Sequence, residues 1–155
     1  MAFNLDKIKN ALSGVNKQFK NKVAQVGLPA GIGYEDGTTY ATVAYIHEYG
    51  APAMNIPPRP FFTPTVKDKG KAWGALIGNG VTQVRKGNMT ADDVLEAAGR
   101  AAVADLQMTI KTMTSPALKP ATIKAKGFSE LLVNTGMMKD NIQSKVAKKG
   151  EDFTA

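Results

Sequence analysis

The chain has 155 residues, 43% hydrophobic and 21% charged, a globular composition long enough to bury one core and too short for two good ones. The absence of cysteine excludes disulfide staples, thiol catalysis and cysteine-ligated zinc. The net charge of +7 comes mainly from scattered lysines, with only Arg59, Arg85 and Arg100 beside them, so it reads as a solvated basic surface, with an electrostatic contact to DNA or an acidic protein face as the alternative.

The N-terminal MAFNLDKIKNAL lacks the apolar stretch of a signal peptide, and no run approaches the roughly 18 apolar residues of a membrane span, so a soluble protein without membrane partners is expected. Phe3, Leu5, Ile8 and Leu12 recur at helical spacing and predict an amphipathic helix over 3–13, stopped at Ser13-Gly14, in an N-terminal arm over 1–20. NKVAQVGL, 21–28, predicts a strand ended by Pro29. The glycine-rich segment 29–38 then predicts a flexible loop with few apolar anchors, a candidate for ordering on assembly. Residues 39–49 alternate like a strand, but Ala41, Ala44, Tyr45 and Glu48 favour a helix in the second half, with Gly50 as its stop.

Pro52, Pro57, Pro58 and Pro60 forbid regular structure in the next stretch, and Pro60 suits the first turn of a helix over 60–85. That helix carries Phe62, Val66, Trp73, Ile77 and Val84 on one stripe, with Trp73 read as core or as an interface anchor. Gly70, Gly74 and Gly78 line another stripe, where they either admit a close neighbour or, with Asn79 and Gly80, break the helix. Thr90 followed by Asp92 and Asp93 is a cap and an acidic first turn. It opens a helix to Met113 whose apolar stripe is Leu95, Ala98, Ala102, Leu106 and Ile110. The two helices predict an antiparallel hairpin over 60–113. Beyond it come a helical turn around ATIKAK, a short helix opened by Thr135-Gly136 and running through Met138, and a terminal strand over 141–148 that pairs with 22–28. The expected fold is a single α+β domain over 1–155: a small antiparallel sheet packed against a long helical hairpin plus short helices.

Reactive chemistry is sparse. His47 is the only histidine, and His47-Glu48 cannot complete a zincin motif because position 51 is Ala51. GIGYEDG lacks the lysine and hydroxyl residue of a phosphate-binding loop, and Glu35-Asp36 sit on a glycine-rich tip that would hold a carboxylate pair poorly. Asp92-Asp93 read as helix-start residues. No catalytic residue, metal site or cofactor is expected, and the chain is not expected to be an enzyme.

Three stretches together carry a resemblance: YATVAYIHEYGAPAMNIPPRPFF (40–62), LKPATIKAKGFSELLVNTGMM (118–138) and the following KDNIQSKV. Across roughly residues 20 to 148 the chain resembles the tail-completion, or virion-morphogenesis, proteins of tailed bacteriophages and prophages. That family's pattern is tyrosine-alanine, then histidine-glutamate-aromatic-glycine, then isoleucine-proline-x-arginine-proline-phenylalanine, and later leucine-hydrophobic-x-threonine-glycine ahead of a terminal strand. The short polar tail after Val146, ending in GEDFTA, departs from it, which puts any further C-terminal contact in doubt. The resemblance implies a small α+β virion subunit at the head–tail junction or tail end, in a ring expected to be sixfold, touching its own copies and neighbouring tail or neck proteins.

The structural or interface residues this singles out are His47, Glu48, Tyr49, Gly50, Met54, Ile56, Pro57, Pro58, Arg59, Pro60, Phe61, Thr135 and Gly136. Independently of the resemblance, Arg59 is expected to reach back to Glu48 or to the last carbonyls near Gly50, since a guanidinium fork suits both. Met54, Ile56 and Phe61 either touch a neighbour or merely join two core elements, and Thr135-Gly136 reads first as a helix cap.

Overall fold

The computed structural model describes residues 5–114, 124 and 136–154. In chain order the elements are α1 (Leu5–Phe19), β1 (Lys22–Gly27), α2 (Tyr40–Tyr49), a 3-10 turn (Pro52–Met54), α3 (Phe62–Arg85), α4 (Ala91–Thr112), α5 (Met137–Asp140) and β2 (Gln143–Lys148). The fold class is α+β as expected, with α3 and α4 packed as a hairpin and β1 paired antiparallel to β2.

α4 is the axis of the molecule, in contact with α1, α3, α5 and both strands. Its start is a capping box: the Thr90 hydroxyl accepts from the Asp93 N–H (3.2 Å) and the Asp93 carboxylate accepts from the Thr90 N–H (2.8 Å). All five residues of the predicted stripe are buried, together with Val94 and Gly99. Asp92 pairs with Lys22 at 2.8 Å, tying the entry of β1 to the head of α4.

α3 runs unbroken through Gly78-Asn79-Gly80. The close approach of the two helices is made elsewhere than expected: a Cβ at Gly80 would overlap Val94, whereas Cβ atoms at Gly70, Gly74 and Gly78 would meet nothing within 4 Å. Trp73 is half-buried and donates its indole N–H to Asp105 of α4 at 2.8 Å. α3 also begins at Phe62, later than expected, so Pro60 precedes the helix and Pro64 occupies its first turn.

α1 continues past Ser13-Gly14 to Phe19. One glycine weakens a helix interior by about 1 kcal/mol, which packing on α3 and α4 offsets. The actual stop is Asn21, in the left-handed region at φ 59. α2 is helical over its whole length because Thr39 caps it, its hydroxyl accepting from the Thr42 N–H at 3.1 Å. Gly50, at φ 76, ends it by donating to the Ile46 carbonyl at 2.7 Å.

The segment over 29–38 carries more internal order than its glycines suggest. Tyr34 N–H donates to the Thr38 carbonyl (2.9 Å), Tyr40 N–H to the Ile32 carbonyl (3.1 Å), and the Tyr34 ring stands edge-on to Tyr40 at 4.7 Å. Leu28, Ile32 and Tyr34 pack against the core of Tyr40, Phe61, Leu106, Ile110, Met138 and Ile142.

The sheet runs in register from Lys22 opposite Lys148 to Gly27 opposite Gln143. Ser144 faces Gly99 of α4 so closely that a Cβ there would lie 2.8 Å from it. Over the other face the C-terminal tail returns as a strap: Gln25 donates to the Glu151 carbonyl, Ala30 N–H donates to the Phe153 carbonyl (2.9 Å), and Lys145 lies over the Phe153 ring. The short tail thus has contacts that its polarity did not suggest. The helical turn expected around ATIKAK falls outside the described residues apart from Lys124, and Thr135 falls outside them as well. Gly136, at φ 78, occupies the N-cap position of α5.

Candidate interaction surface

The stretch from His47 to Phe61 folds into one bonded junction between α2 and α3. After Gly50 the chain doubles back on itself: Ala51 and Ile56 exchange backbone hydrogen bonds of 2.9 and 3.1 Å, and Asn55 at φ 55 makes the turn. The exposed Pro57 and Pro58 restrict the returning strand. Arg59 N–H then donates to the His47 carbonyl at 2.6 Å, satisfying one of the carbonyls that the end of α2 leaves open. Arg59 is 8% exposed and Phe61 is buried in the core, while Pro60 between them is exposed.

Glu48 settles the start of α3. One carboxylate oxygen accepts from the N–H groups of Phe61 and Phe62, the other from that of Thr63, each at 2.9 Å. The N-cap residue of α3, Phe61, has no side-chain acceptor, and Pro64 has no N–H, so Glu48 takes the donors that the helix start leaves unpaired. Burial pushes the Glu48 carboxyl up, but the Thr63 hydroxyl and the N–H groups of Phe62, Thr63 and Phe61 outweigh it and hold the group below its ordinary value.

Of the two targets expected for the Arg59 guanidinium, Glu48 or the carbonyls near Gly50, Glu48 turns both of its carboxylate oxygens to the start of α3. A helix start with a positive end and unsatisfied donors is as good a partner for a carboxylate as a guanidinium. Arg59 does reach the end of α2, but through its backbone N–H on the His47 carbonyl, a different contact from the guanidinium fork that was expected.

The outer side of this junction is apolar. Tyr45 and Tyr49, one turn apart on α2, are 65% and 63% exposed with ring centroids 4.7 Å apart, and Met54 at the loop tip is 66% exposed. A cleft lined by Tyr45, Glu48, Tyr49, Phe62 and Thr63 opens beside them. At Phe62 and Leu106 it meets a second groove between β1 and α3, walled by Val66, Trp73 and Ile77 and floored by Ala98, Gly99 and Ala102.

The sequence reading singled out Tyr49, Met54, Ile56 and Phe61, and the structure gathers them around this junction. It missed Tyr45, Phe62 and Val66 as surface residues, because their spacing suits a core stripe equally well. The signal available was the pair of tyrosines at i and i+4. Gly136 is the N-cap of α5, which touches α2 through the Tyr40 hydroxyl and Met137 sulfur at 3.5 Å.

Among the described residues no group of three or more His, Cys, Asp or Glu stands together as a metal site, and no helix is long and apolar enough to cross a membrane. Asp92 and Asp93 are both engaged at the head of α4, as the sequence suggested. Compared with family models, curated proteins and solved structures, the chain matches none.

Proposed function

We propose that the chain is a structural subunit of a tailed bacteriophage particle: a tail-completion or neck protein that joins or terminates the tail at the head–tail interface. It is made in the bacterial host cytoplasm and ends up in the virion, in a ring of its own copies, expected to be a hexamer, docked on neighbouring tail or neck proteins. The observation that carries this reading is the α2–α3 junction. The stretch that bears the resemblance, IHEYG to IPPRPFF, is braced by backbone and carboxylate hydrogen bonds, and it holds Tyr45, Tyr49 and Met54 outward. A rigid, aromatic, exposed surface is suited to docking on another protein.

Phage lacking the gene should accumulate unjoined heads and tails by electron microscopy, with infectivity restored by the chain supplied in trans. Fully joined infectious virions without it would overturn the proposal. The net charge of +7 favours a second reading, a small basic nucleic-acid-binding protein. That reading requires DNA affinity falling steeply with salt, one phosphate contact adding roughly 0.9 to the slope. Solution mass measured with and without DNA separates the two.

A further inference from the structure

Glu48 is placed where two exposed apolar faces meet. The cleft beside it has Tyr45 and Tyr49 of α2 on one side and Phe62 of α3 on the other, and among the described residues its lining includes no basic side chain. On a chain of net charge +7, two copies can approach through such a face with little charge repulsion. The angle between its two halves depends on how α3 leaves the proline-rich segment 57–60. That departure is held by one carboxylate accepting from Phe61, Phe62 and Thr63.

We propose that Glu48 is the positioning residue of a self-assembly face: it fixes the Tyr45–Tyr49 pair and the Phe62–Val66 pair as one preformed surface for a second copy of this chain. This rests on the reading that the chain acts through contacts between its own copies. Without the carboxylate, the three N–H groups turn to water and the α2–α3 angle relaxes. Docking then bears the cost of ordering both halves, a cost that preorganisation removes. Glu48 itself need not touch the partner.

The test measures self-association of the full chain by sedimentation velocity over a concentration series, for wild type, Glu48→Ala, Glu48→Gln and Val94→Ala, with helicity and thermal midpoint recorded for each. Val94 is fully buried at the other end of the hairpin and serves as a destabilised control. Glu48→Ala should associate at least about tenfold more weakly, while Val94→Ala associates as wild type does. Sodium acetate, against a sodium chloride control, should restore Glu48→Ala in part, because acetate supplies the missing acceptor. If Glu48→Ala does not fold, Glu48→Gln, which keeps one carbonyl acceptor, carries the test and should associate more weakly than wild type. Glu48 variants that associate as tightly as wild type, or a Val94→Ala loss of the same size, would overturn the proposal. A wild-type chain that stays monomeric throughout would overturn the assembly reading itself, and this proposal with it.

Discussion

Glu48 sits on the last turn of one helix and caps another whose first residue lies fourteen positions further on. A carboxylate at a helix start gains from both the unpaired N–H groups and the positive end of the dipole. Replacing Glu48 with Ala should therefore lower stability near neutral pH by about 1–2 kcal/mol, read from chemical denaturation. The pH dependence has a definite sign. The Glu48 carboxyl is depressed in the folded chain from its ordinary value of 4.5, so its contribution is present in full above that value and is lost as pH falls through the lower, folded one. The unfolding midpoint of Glu48→Gln should fall less steeply below pH 4.5 than that of wild type. Some acid dependence should remain in the variant, because Asp93, held down by the Thr90 N–H and hydroxyl, and Glu151, held down by the Lys148 N–H, are depressed too. Identical acid limbs in the two proteins would show that the carboxylate is not engaged as described.

At the scale of elements, the α3–α4 hairpin separates glycines that packing requires from glycines that it does not. Gly80 lies where Val94 leaves no room for a methyl group, so Gly80→Ala should destabilise by about 1–3 kcal/mol through overpacking. Gly74 faces open space in the same helix, so Gly74→Ala should stabilise the free chain by up to about 1 kcal/mol through helix propensity alone. Thermal denaturation of the two variants reads opposite signs, and a shared sign would contradict the placement of α3 on α4. α4 was legible element by element, since Thr90, Asp92 and Asp93 announce its start and Leu95 to Ile110 repeat on one face. α1 was legible only in part. Its Gly14 looks like a stop in isolation, and the contacts with α3 and α4 that carry the helix past it are not local in sequence.

At the scale of the molecule, a two-stranded sheet is marginal by itself and needs cover. Here α4 lies under one face through Gly99 and Ser144, and the strap of Glu151 to Thr154 crosses the other. Removing 150–155 should lower the denaturation midpoint by the equivalent of about 1–3 kcal/mol while leaving helical content nearly unchanged. An unaltered midpoint would mean that the strap is decorative. The pairing of 22–28 with the terminal strand was legible because both segments alternate, and register follows from which face must be apolar. The strap was not, since its hold depends on a backbone carbonyl, the Phe153 ring and a lysine brought near by the sheet.

The sequence by itself determined the long periodic elements, the caps at Gly50 and Thr90, and the pairing of the two strands, because each depends on residues within a turn or on a repeat of fixed period. Tertiary structure alone decided which donors Glu48 serves, which glycine the helices close upon, and which apolar residues stay outside. Those outcomes depend on where α3 lies relative to α2 and α4, a geometry that many near-identical apolar stripes permit and only the packed chain selects.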